Sequence, residues 1–137
     1  MSYGYSKTVN LTYEEALTRV EEELKERGFG ILTEIDVKAT LKKKLNEDMN
    51  NYKILGACNP PFAHKAIEME REIGLLLPCN VLVYTNDDNE TVVSAIDANA
   101  MLSVVGDDDK IQEVATEVSN RLREAVDAVE QKATVSA

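Results

Sequence analysis

Cys58, His64 and Cys79 are the side chains of this sequence best suited to hold a soft metal ion or act as nucleophiles. Cys58 stands directly before Asn59-Pro60, a pair that reads as a helix start, and the field of a helix N-terminus lowers a thiol pKa. A reactive thiolate is predicted there. His64, Glu68 and Glu72 follow at four-residue intervals on the same helix and share one face, a spacing that can set an imidazole and a carboxylate around one ion. A Zn²⁺ or small-ligand site would therefore draw on Cys58, His64, Glu68 and Cys79, with Asn59 and Pro60 forming the helix start beside them. The same thiols allow a redox reading, in which Cys58 reacts first and Cys79 resolves. Packing offers the plainer account: a free cysteine is a small core residue, and twenty residues between the two match no short zinc knuckle.

Other chemistries find little. Lys38, Lys42, Lys43 and Lys44 form a basic cluster on an acidic chain, most simply a solvated helix face. Neither Asp107–Asp109 nor Asp87–Glu90 has the ligand pattern of a calcium loop. Phosphate-binding and nucleophile-elbow motifs are absent, and Gly28-Phe29-Gly30 follows a helix instead of opening one.

The elements that must position these residues read as follows. Tyr3–Val9 forms a strand. Thr12 with Glu15 makes a capping box, and Tyr13, Ala16, Leu17, Val20 and Leu24 recur at helical spacing up to about Arg27, before Gly28. Ile31–Asp36 alternates as a strand whose second side carries Glu34 and Asp36, which favours a sheet buried on one side. A short helix follows Asp36, then a strand over Tyr52–Cys58 and a third helix from Pro60 to about Glu72, which Gly74 ends. Cys79–Thr85 and Glu90–Ile96 form a hairpin. After the apolar segment Ala100–Val105, acids at 107–109 suit a helix N-terminus. A last helix carries Ile111, Val114, Ala115, Val118, Leu122, Ala125, Val126 and Val129 as one stripe, and Gln131–Ala137 reads as a frayed tail.

Alternating strands and helices permit a wound parallel sheet, but the polar residues on the strands favour an antiparallel one. The expected fold is α+β: a single domain over 1–137, its core about 5–130, with about five mainly antiparallel strands packed by helices. In such a sheet the end of the third strand and the start of the fourth meet, which would bring Cys58 to Cys79.

The bulk numbers agree. The 137 residues hold 15 basic and 25 acidic side chains, a net charge of −10, with 44% hydrophobic residues, as in one soluble domain. A chain of this length buries enough surface to fold without disulfides or metal. The apolar runs are far too short for a bilayer span and no signal region opens the chain, so a cytoplasmic protein is expected. The acidic balance, with a pI near 4.6, argues against nucleic acid and anionic membranes.

Three runs, Gly28-Phe29-Gly30-Ile31-Leu32-Thr33-Glu34-Ile35-Asp36, Gly56-Ala57-Cys58-Asn59-Pro60-Pro61 and Ile73-Gly74-Leu75-Leu76-Leu77-Pro78-Cys79-Asn80-Val81, with Met101-Leu102-Ser103-Val104-Val105-Gly106, resemble domain-of-unknown-function family 302. The likeness extends from Tyr5 to Val129. It implies a small bacterial or archaeal α+β protein, often a homodimer, and brings no activity with it. A homodimer also suits the surplus of apolar segments at Leu75–Leu77 and Ala100–Val105.

Overall fold

The computed structural model describes residues 3–106 and 108–136, with side chains up to residue 130. Asp107, the first of the three acids expected at a helix start, lies outside the described residues. The elements run β1 (Gly4–Val9), α1 (Tyr13–Glu26), β2 (Gly30–Asp36), α2 (Val37–Leu45), β3 (Tyr52–Cys58), α3 (Pro60–Met69), β4 (Cys79–Thr85), β5 (Thr91–Ile96), α4 (Ala98–Leu102) and α5 (Asp109–Ser136). One five-stranded sheet in the order β1-β5-β4-β3-β2 is antiparallel at every pairing, so the α+β expectation holds.

Local chemistry sets the ends. Thr12 Oγ1 accepts from the Glu15 amide at 3.1 Å while the Thr12 amide donates to Glu15 Oε1 at 2.9 Å, closing the capping box. Gly28 takes φ +87°, which a side chain would strain, and turns the chain into β2. α3 stops at Met69, short of the expected Glu72, and Arg71–Leu76 tightens into a 3-10 turn that includes Gly74. The segment expected only as apolar, Ala100–Val105, belongs to α4 and a following 3-10 turn. The helix expected to give way at Gln131 continues to Ser136, through Gln131, Lys132 and Ala133, all good helix formers.

Helices α1, α3, α4 and α5 pack their apolar residues with those of the sheet into one core. α5 docks on β1, where the Tyr5 hydroxyl donates to Asp127 at 2.7 Å and Lys7 pairs with the same carboxylate at 3.3 Å. Leu55, Val81, Val83 and Val93 face this layer and meet Val20 and Leu24 of α1 and Leu122, Val126 and Val129 of α5 in one core. The opposite face carries the paired row Ser6, Ser94, Leu82, Ile54 and Ile35, none of them charged.

β2 departs from simple alternation. Its pairing shifts between Ile31 and Thr33, because Ile31 opposes Ala57 and Thr33 already opposes Gly56. This bulge at Leu32 reverses the faces beyond it. Glu34 and Asp36, opposite Leu55 and Lys53, are therefore on the helix side at the sheet's margin, with Glu34 3.9 Å from Lys53, and Ile35 looks outward.

Candidate functional site

β3 and β4 meet as the antiparallel reading requires: Ala57 opposes Cys79, so Cys58 is the next residue along the neighbouring strand. Both thiols are free, Cys79 only 7% exposed and Cys58 half-buried. They share the wall of a cavity of about 250 Å³. Its other walls come from α3, through Phe62, Ala63 and Ala66; from α4, through Ala98 and Met101; and from α5, through Val114 and Val118. Leu32, turned by the bulge and 66% exposed, forms its outer part.

Side-chain hydrogen bonds fix these walls. Asn59 caps α3, its Oδ1 accepting from the Phe62 amide at 3.3 Å. Asp97 Oδ1 caps α4 from the Asn99 and Ala100 amides, and the Ala98 amide donates to Ser119 Oγ of α5 at 2.9 Å. The space itself follows from residue size. Alanines at 57, 63, 66 and 98 stand together on its wall, among larger residues such as Phe62, Leu102 and Val118.

The predicted low thiol pKa does not materialise. Burial pushes Cys58 up, and burial together with the nearby Cys58 pushes Cys79 up to about 11. The start of α3 cannot oppose this. Pro60 and Pro61 have no N–H, the Phe62 amide is taken by Asn59 Oδ1 and the Ala63 amide by the Asn59 carbonyl, so no amide of that turn is left for the sulfur. Cys58 remains the more accessible thiol of the two.

His64 and Glu68 are on the far side of α3 from the residues that line the cavity. The imidazole is 76% exposed, with Nδ1 3.3 Å from Glu68 Oε1. Glu72 is in the 3-10 turn, off the helix that was expected to carry it. Among the described residues no three His, Cys, Asp or Glu side chains are grouped to hold a metal ion. Of the four predicted site residues, then, two thiols meet at the cavity and two polar groups pair with each other in solvent. Sequence reasoning missed Phe62, Met101 and the alanines of the wall; the signal was the apolar stripe of Phe62, Ala63, Ala66 and Ile67 on α3.

Residues 5–129 match the family described as domain of unknown function DUF302. The chain belongs to this family. The DUF302 protein of Bacillus stearothermophilus, an uncharacterized conserved protein known from its crystal structure, is similar to it at 27% identity and a TM-score of 0.86, over 93% of this chain and 98% of that one. No curated protein matches the sequence. The DUF302 fold thus positions the cavity, and its name assigns no chemistry to it. Among the described residues no helix is long and apolar enough to cross a membrane.

Proposed function

We propose that this DUF302 domain binds a small apolar ligand in the cavity beside Cys58 and Cys79. One observation carries the reading: a space of about 250 Å³ whose walls are almost wholly apolar. An apolar cleft of this kind holds water poorly and gains from admitting an apolar guest. The metal version of the reading has two thiols and no third donor among the described residues. The neutral dye phenylnaphthylamine, dark in water and bright in apolar surroundings, tests the proposal. Wild type should brighten it saturably at one site, and Ala63→Phe, which fills the space, should abolish the signal while keeping a cooperative thermal transition. Equal brightening by both proteins would end the reading.

A second reading is supported by the meeting of the two thiols. Cys58 would attack a disulfide substrate and Cys79 would displace the remaining half as a thiol, leaving a Cys58–Cys79 disulfide. Burial, which raises both pKa values, works against it. Timed alkylation at pH 8 should label Cys58 before Cys79; the reverse order would remove Cys58 as the attacking thiol.

Self-association belongs to the same proposal. Leu75 and Val104 are 83% and 73% exposed, and the outer row of the sheet is free of charge. Light scattering should give twice 15.2 kDa, whereas a monomer at tens of micromolar would remove this part.

A further inference from the structure

Two cations pack on Phe62, a residue of the cavity wall, in a chain of net charge −10. Val114, Val118 and Arg121 follow on α5 at spacings of four and three, so they share one face of the helix. The first two line the cavity. Arg121 continues that face beyond them, and its guanidinium stacks on Phe62 at 4.9 Å from the ring centroid. The same ring, itself part of the wall, carries Lys65 Nζ at 5.9 Å.

Arg121 is held in place. Its Nε donates to Glu117 Oε1 at 2.9 Å and its Nη1 to the Arg27 carbonyl at 3.2 Å, so Glu117 offsets part of its charge and Nη2 has no partner among the described residues. Lys65 forms no ion pair among the described residues, the neighbouring Glu68 lying against His64 instead. An apolar chamber with cations packed on one of its wall residues distinguishes the two ends of a guest. We infer that the ligand of this cavity is amphiphilic, an apolar body with an anionic head group that meets Arg121 and Lys65. This rests on the binding reading above. The acidic chain does not forbid it, since salt screens the general field beyond about 8 Å at physiological strength and leaves the close contacts.

The test displaces phenylnaphthylamine with octanoate and with octylammonium, equal tails of opposite charge. Wild type should prefer octanoate, by about fivefold, the scale that a partly exposed ion pair supports. The double variant Arg121→Gln, Lys65→Gln should lose or reverse that preference. Lys38→Gln, Lys43→Gln changes the net charge equally on α2, away from the cavity, and should leave the preference intact. Lys65→Gln alone, at an exposed position, keeps the test valid should the Arg121 change disturb the α1–α5 contact, and should narrow the preference. Dye binding with no preference for octanoate, or an equal loss from the α2 control, would overturn the inference while the cavity reading stands. Failure of the dye to bind wild type would remove both.

Discussion

The helical layer has two unlike halves. Where α1 and α5 cross the sheet, Val20, Leu24, Val93, Leu122, Val126 and Val129 close so well that the gap among them has no room for a water molecule. Where α3, α4 and the N-terminal half of α5 meet the ends of β3 and β4, about 250 Å³ stays open. The wall residues of the open half include four alanines, so side-chain volume contributes to the difference. In the closed half branched residues interdigitate around Ala125, whereas four alanines stand together on the cavity wall and leave space between helices and sheet. One half holds the fold, and the other has exchanged packing for space.

The largest test of this contrast uses one residue type in both halves. Leu122→Ala should cost about 4–5 kcal/mol, since the side chain is in contact on all sides. Leu102→Ala should cost nearer about 2–3 kcal/mol, because Leu102 already borders the cavity and has fewer contacts to lose. Equal losses in urea unfolding would show that the halves do not differ in packing.

Enlarging a residue should give opposite signs. Ala125→Leu, in the closed half, should destabilise by about 1–3 kcal/mol through overpacking. Ala66→Leu fills the cavity and should stabilise by up to about 1 kcal/mol while weakening dye binding. A loss of stability in both variants would mean that the cavity has no usable room.

The smallest effect reports how dry the cavity is. Cys79 titrates at about 11 in the folded protein against 9.0 ordinarily, so between these values the unfolded chain gives up the proton first. The native state keeps its proton, and stability from this group is complete below pH 9 and lost as pH rises towards 11. From pH 8 to pH 10, wild type should lose about 1 kcal/mol more than Cys79→Ala. No difference between the two would mean that water reaches the sulfur.

Much of this architecture can be read in the sequence because its signals are local. The capping box at Thr12, the strands Tyr52–Cys58 and Cys79–Thr85, and the stripe of α5 each depend on residues a few positions apart. The meeting of Cys58 with Cys79 follows from one topological choice. The cavity is different in kind, being the volume left over when distant segments pack, and no single segment carries its signature. The orientation of His64 could have been found, since the stripe of Phe62, Ala63, Ala66 and Ile67 leaves positions 64 and 68 on the other side of α3. The face of Glu34 could not, because it depends on a one-residue slip of β2 against β3.

That slip affects how the molecule meets its own kind. β2 borders the sheet, and an unpaired border is a template on which a strand from another molecule can grow. Growth needs evenly spaced donors and acceptors, and the extra residue at Leu32 breaks the spacing mid-strand. Leu32 thus serves twice: it lines the cavity, and it interrupts the regular ladder of a border strand, the irregularity by which sheet edges resist adding further strands.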